Sequence, residues 1–409
     1  MVQSAKMTKA EVHKWEFKAR FRRHAFGWKS QPAIQRVKQA IAEIKKASRK
    51  DSMLAAEGAV AFIERISPAL EQVDSSSGAI GTAVNHAVAE LVEIIASAPA
   101  DTKTRDTWLE RLWNAHEADQ IPYIERLGDY WGELCASKDL ASRWADRLLG
   151  MTRMALSPDP NLRGHFVGTS ACLSALFHAE RHAEIVDLVA AERIIWPYKR
   201  WAVKALAAMG KKSEAIKYAE SCRGPWTYDG EVDAVCEEIL VSCGLVDDAY
   251  ERYGVRVHQG GTYLATFRAV AKKYPRKPAD KILADLVKTT PGDEGKWFAA
   301  AKEAGLYDEA LALASHTPCD PKTLTRAARD LASEKPAFAA RAGLLALQWL
   351  ADGYGYEITG ADVWAAYDSA IKAAEKNGGA GEMRELIRNL VADRPGGFVA
   401  QILGRELGL

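Results

Sequence analysis

A glycine, a short polar turn and an alanine five residues after the glycine recur through the middle of this chain at a nearly constant interval. A chain that repeats itself in this way has few ways to fold. In WAVKALAAMGKKSEAIKYA the glycine is Gly210 and the alanine Ala215. VDAVCEEILVSCGLVDDAYERY repeats the arrangement with Gly244 and Ala249, and GKWFAAAKEAGLYDEALALA with Gly305 and Ala310. Between the last two, TFRAVAKKYPRKPADKILADL fits with Tyr274 at the glycine position, Ala279 five residues on and Pro275 marking the stop. Looser copies flank these, Glu180 with Ile185 upstream and Lys335 with Ala340 downstream. The anchors 180, 210, 244, 274, 305 and 335 are separated by 30, 34, 30, 31 and 30 residues.

Each copy predicts an αα-hairpin. Glycine suits the end of the first helix because it adopts positive φ without a Cβ penalty, and the acids after it (Asp247 and Asp248; Asp308 and Glu309) suit the start of the second helix. The alanine lets two helix backbones approach closely. The apolar positions that follow (Ile216 and Ala219; Tyr250 and Tyr253; Leu311 and Ala314) are expected to face a neighbouring hairpin. One hairpin cannot bury that face alone, so consecutive units are expected to stack.

This pattern resembles the tetratricopeptide-like superfamily of helical repeats, over about 40% of the chain. The resemblance implies an α-solenoid of stacked antiparallel hairpins, and the chain is also similar to bacterial helical-repeat proteins. It departs from the tetratricopeptide consensus, whose step is about 34 residues with a Trp, a Gly-Tyr pair and a closing Pro at set places.

The remainder also reads as helix. Ile80, Val84, Ala87, Val88, Leu91 and Ile95 form one apolar stripe, and Leu54, Val60, Ile63 and Leu70, then Leu140, Trp144 and Leu148, repeat the spacing. Runs alternating apolar and polar over six residues are hard to find, so an all-α fold is expected. Asp320 before Pro321 predicts an N-cap, and Thr359 with Asp362 a capping box. Gly- and Pro-rich turns stand at 157–164, 224–230, 352–360 and 377–381. The organisation expected is a basic segment over 1–50, a helical region over 51–160, the hairpin array over 161–340 and a helical cap over 341–409.

The formal net charge of +1 conceals an asymmetry. Residues 1–50 hold 14 Lys and Arg against three acids, Glu11, Glu16 and Glu43, a balance of +11; the rest is 41 minus 51, or −10. The six cysteines form no C-x-x-C pair, which favours reduced thiols and a cytoplasmic setting. The start lacks the apolar run of a secretory signal, and no stretch approaches the roughly 18 apolar residues of a membrane span, so none is expected.

The sharpest candidate surface is the basic segment. Lys14, Lys18, Arg20, Arg22, Arg23 and Lys29 interleave with Trp15, Phe17, Phe21, Phe26 and Trp28, and Arg36, Lys38, Lys45, Lys46, Arg49 and Lys50 follow on a predicted helix. Cations with stacking aromatics suit non-specific nucleic-acid binding. The alternatives are that the rings pack into the first hairpins while the cations are solvated or meet the acidic remainder, or that the segment meets a membrane surface. Trp201, Trp297, Trp349 and Trp364 fall within helical patterns and are expected in the core, whereas Trp226 and Tyr228 occupy a Gly- and Pro-bounded loop open to a partner or to packing on the adjacent helix.

No residue constellation demands catalysis. His178 and His182 lack the His-Glu-x-x-His arrangement and a third ligand, SSSGAIGT at 75–82 lacks the strand and lysine of a phosphate loop, and no Gly-x-Ser-x-Gly elbow occurs. No catalytic residue, metal ligand or cofactor is therefore expected. A non-enzymatic scaffold binding a protein or peptide fits this sequence first, a nucleic-acid-associated protein second, and an enzyme with an unrecognised helical site third.

Overall fold

The structure, a computed structural model, describes residues 13–159, 161–225 and 227–409. It is all-α, with no strand among the described residues. The chain divides into two compact units between Val235 and Cys236. That division falls inside a helix of the repeat stretch, while the turn at 157–164 lies within the first unit.

The first unit contains α1 (Glu16–Arg20), α2 (Ser30–Ser48), α3 (Ser52–Leu70), α4 (Ala79–Ser97), α5 (Thr102–Glu117), a 3-10 turn (Glu125–Tyr130), α6 (Trp131–Cys135), α7 (Lys138–Ala155), α8 (Thr169–His178), α9 (His182–Leu188), α10 (Trp196–Ala208) and α11 (Lys212–Ser221). Most contacts join neighbours along the chain: α2 with α3, α3 with α4, α7 with α8, α10 with α11. One continuous apolar core runs from Trp15 to Ala205. Among the described residues one helix, α4, at 19 residues and mean hydropathy 1.3, is long and apolar enough to cross a membrane by length and composition alone, a single instance that is consistent with the expected lack of a span. In the fold its stripe, Ile80 to Ile95, is buried, and the helix packs on α2 and α3.

A buried guanidinium closes α4. Arg105 on α5 donates to the carbonyls of Ile95 (3.0 Å), Ala96 (3.4 Å) and Ala98 (2.5 Å), and to Leu134 of α6 (3.2 Å). The last carbonyls of a helix have no partners within it, so this cation satisfies groups that burial would otherwise strand. Close approach is set by glycine at two places. A Cβ on Gly132 would lie 2.4 Å from both the His178 ring and the Ser174 carbonyl, which brings α6 against α8, and one on Gly58 would strike the Trp15 indole at 2.3 Å.

The two units share α12 (Asp229–Ser242) in the chain. The second continues with α13 (Val246–Ala249), a π-helical turn (Tyr250–Gly254), α14 (Val255–Val257), α15 (Tyr263–Lys273), α16 (Ala279–Lys288), a 3-10 turn (Glu294–Trp297), α17 (Phe298–Glu303), α18 (Tyr307–His316), α19 (Pro321–Leu331), α20 (Pro336–Ala351), α21 (Gly360–Lys376), α22 (Ala380–Ala392) and α23 (Phe398–Leu407). Neighbours and next-but-one neighbours pack together, as in α18 with α20, α19 with α21 and α20 with α22. Asp320 caps α19 through the Thr323 amide (2.9 Å), and Thr359 and Asp362 form the capping box of α21.

Four of the six anchors share one local geometry. Gly210, Gly244 and Gly305 have φ of 78°, 77° and 75°, and Glu180 reaches 60° despite its side chain. After each, the next amide reaches back to the helix: Lys211 to Leu206, Leu245 to Leu240, Leu306 to Ala301, Arg181 to Leu176, at 2.9 to 3.0 Å. These are left-handed helix caps that satisfy orphan carbonyls. Tyr274 and Lys335 stay at negative φ, so the fourth and sixth copies turn differently. Gly353 and Gly378 repeat the cap beyond the array, at φ of 84° and 73°. The expected helix-facing positions Ala215, Ala219, Ala249, Tyr250, Tyr253, Ala310 and Ala314 are buried.

Candidate partner-binding surfaces

The basic segment separates its two kinds of residue. Trp15, Phe17 and Phe21 are buried, with Phe17 and Phe21 edge-on to Phe62 of α3 at 5.3 and 4.8 Å between ring centres. Phe26 is half-buried against Phe21, and Trp28 alone stays out, 72% exposed. The rings therefore belong to the core. Lys18, Arg20, Arg22, Arg23, Lys29, Arg36, Lys45 and Lys46 are all exposed. Arg20 pairs with Glu16 (2.9 Å), Arg23 with Glu71 (3.4 Å) and Lys45 with Glu90 (2.7 Å); the others meet no carboxylate among the described residues.

Of the loop aromatics, Trp226 lies outside the described residues. Tyr228 is 74% exposed, and its ring stands 2.7 Å from where a Cβ on Gly230 would be, so the glycine makes room for it. Arg223 anchors this loop by pairing with the buried carboxylate of Asp233 and with Asp229 (3.3 Å). Trp201, Trp297 and Trp349 are buried as expected, but Trp364 is 38% exposed on α21, stacked edge-on to Tyr367. Periodicity placed it in a helix without fixing which side of the stripe's edge it occupies.

A groove that the sequence did not announce lies in the first unit. It forms where α7 ends, the turn at 157–166 folds over, and α10 begins, and encloses about 540 Å³. Leu156, Phe166, Ile194 and Tyr198 line it, and Arg163 and Arg193 stand on its rim. Local chemistry explains the shape. Asp159 accepts from the Asn161 amide at 2.9 Å, and Arg163 beyond it is exposed and meets no carboxylate among the described residues. Gly168 has no side chain, and the rings of Phe166 and Trp113 fill that place. At the start of α10, Trp196 turns into the core while Ile195 turns out, 51% exposed. Burial raises the Tyr198 hydroxyl pKa, so that group stays protonated as a hydrogen-bonding tip on an apolar wall.

No family model, curated protein or solved structure matches this chain.

A third feature, in the second unit, is polar and closed. The carboxylate of Glu237, buried on α12, accepts from the Tyr274 hydroxyl and meets His258 Nε2 at 2.8 Å. Tyr274 stacks edge-on to Tyr250, whose hydroxyl donates to Asp285 at 3.0 Å. Gly254 in the π-helical turn accommodates the Tyr274 ring, 2.8 Å from a notional Cβ. Desolvation and the neighbouring carboxylates hold both phenols far above their ordinary pKa. Each acid has its donors, so the cluster reads as a satisfied polar core that fixes the π-helical turn. His178 and His182 gain no further ligand, since no cluster of three or more His, Cys, Asp or Glu positioned for a metal occurs among the described residues.

Proposed function

We propose that this chain is a non-enzymatic scaffold of tetratricopeptide-like hairpins whose groove between α7 and α10 binds a protein or peptide partner. The groove carries the reading: a largely apolar hollow of about 540 Å³, an outward Ile195 and two rim arginines that meet no carboxylate among the described residues. Exposed apolar side chains gathered at a concave site mark interaction surfaces, and arginine at such a site supplies planar charge-assisted hydrogen bonds. The stacked-hairpin part of the proposal draws support from the shared left-handed caps and from the contacts between next-but-one helices within each unit. A cytoplasmic setting belongs to the same proposal, supported by six free cysteines, of which Cys135, Cys172, Cys236 and Cys319 are buried.

A photo-crosslinking amino acid placed at Ile195 in cells tests it, with Leu386 on α22 as an exposed control. The proposal expects a discrete protein adduct from position 195 that disappears when Arg163 and Arg193 are changed to Glu. Absence of an adduct at 195, or identical adducts from both positions, contradicts it.

A further inference from the structure

We infer that the outward face of α2, together with the cations that precede it, binds the phosphodiester backbone of double-stranded nucleic acid. Between residues 13 and 50 there are twelve Lys and Arg and two acids. Both acids are occupied: Glu16 pairs with Arg20, and Glu43 caps α1 through the amides of Glu16 (2.8 Å) and Phe17 (3.2 Å). Beyond them, Glu71 takes Arg23 and His24, and Glu90 takes Lys45. Lys14, Lys18, Arg22, Lys29, Arg36, Lys38, Lys46, Arg49 and Lys50 remain exposed, with no carboxylate partner among the described residues.

The helix arranges these charges. Ala33, Val37, Ala40, Ile41 and Ile44 form its buried face. Lys38, Lys45 and Arg49 follow one another at steps of seven and four along the exposed side, with Lys46 beside them, Gln39 between and Gln31 and Gln35 before. Lys38 and Arg49 are separated by about 16 Å of helix axis. A duplex presents one phosphate charge per roughly 1.7 Å, so every cation on this face finds one. On this row the one large apolar side chain, Ile34, is half-buried against the core, so no exposed apolar stripe of the kind that insertion into a lipid surface requires is present on it among the described residues. Single-stranded recognition relies on several rings that stack on bases, and here Trp15, Phe17 and Phe21 are buried, which leaves only Trp28 outside. The surface therefore grips a backbone and reads no bases.

The test is fluorescence anisotropy of the full chain with a labelled 20-base-pair DNA of mixed sequence at 50 and 200 mM NaCl. Binding at the lower salt should weaken about fortyfold at the higher if three phosphates are neutralised. The triple change Lys38→Gln, Lys46→Gln and Arg49→Gln touches only exposed, unpaired side chains, so circular dichroism should be unchanged while affinity falls at least about tenfold. Arg163→Gln with Arg193→Gln removes charge elsewhere and should bind as the parent does. No binding at 50 mM, salt-insensitive binding, a triple variant that binds normally, or tighter binding to phosphatidylserine vesicles than to the duplex each overturns the inference.

Discussion

The indole of Trp15 lies where a side chain on Gly58 would stand, with Trp15 Cζ2 2.3 Å from the position of a Cβ there. With the Phe17 and Phe21 rings against Phe62, this contact ties the basic amino-terminal segment to α3 and makes its aromatics part of the core. Gly58→Val should expel the ring. The expected result is a loss of about 3 kcal/mol in urea unfolding, from overpacking and lost aromatic burial, with a red-shifted tryptophan emission and faster tryptic cleavage at Lys18, Arg22 and Arg23. Unchanged protease resistance would show that Trp15 does not hold the segment down.

Arg105 gives a second prediction. Its guanidinium serves four carbonyls and faces no carboxylate, so Arg105→Ala leaves buried acceptors at the end of α4 unpaired. A loss of about 3 kcal/mol is expected in the same unfolding measurement. Arg105→Lys should recover only part of it, because an ammonium cannot span the same fan of oxygens.

The left-handed caps predict a reversal of sign. Gly210→Ala, Gly244→Ala and Gly305→Ala should each cost about 1 kcal/mol, since alanine strains at positive φ. Glu180→Gly should instead stabilise by up to about 1 kcal/mol, less the small contribution of its exposed pair with Lys138. Chemical denaturation of the four variants reads this directly, and a destabilised Glu180→Gly would refute the shared-cap argument.

These caps are the part of the fold that was legible in the sequence, because a left-handed helix end is a local demand that glycine meets within a few residues. The same logic made Asp320 and the Thr359–Asp362 box readable. Tyr274 was aligned with the glycines, yet its ring and hydroxyl serve Gly254 and Glu237, and Glu237 lies 37 residues away. Nothing in local spacing announces such a partner. The groove was hidden for the same reason: the end of α7, the turn at 157–166 and the start of α10 make it together, and Ile195 looks like any other apolar residue until its neighbours are placed. For the amino-terminal rings the sequence left stacking and packing both open, and Phe62 and Gly58 close the question.

Acid should loosen the first unit. Burial lowers the imidazole pKa of His116 and His178 below its ordinary value of 6.5, with the Val167 carbonyl, Asp119 and Glu125 opposing that shift at His116, and Glu133 opposing while Lys204 reinforces it at His178. Unfolding then takes up protons, so the stability from these neutral rings is full above pH 6.5 and is lost as pH falls from there through the lower folded-state values. Burial raises the Asp119 pKa above 3.8, a shift of opposite sign that adds stability as pH falls through its raised folded-state value and so opposes the histidine effect. Melting temperatures at pH 7.5, 6.0 and 5.0 should fall in that order, with a shallower decline in His178→Gln. A flat profile would mean the rings are not held neutral.

Selection of random peptides on the purified chain puts the groove to the most direct test. The account predicts enriched peptides that carry a large apolar residue beside Asp or Glu, and synthetic copies that lose about tenfold or more in affinity, ~1.4 kcal/mol, for Arg163→Glu with Arg193→Glu. Failure to enrich any such peptide, or equal binding to the doubly substituted chain, would contradict it.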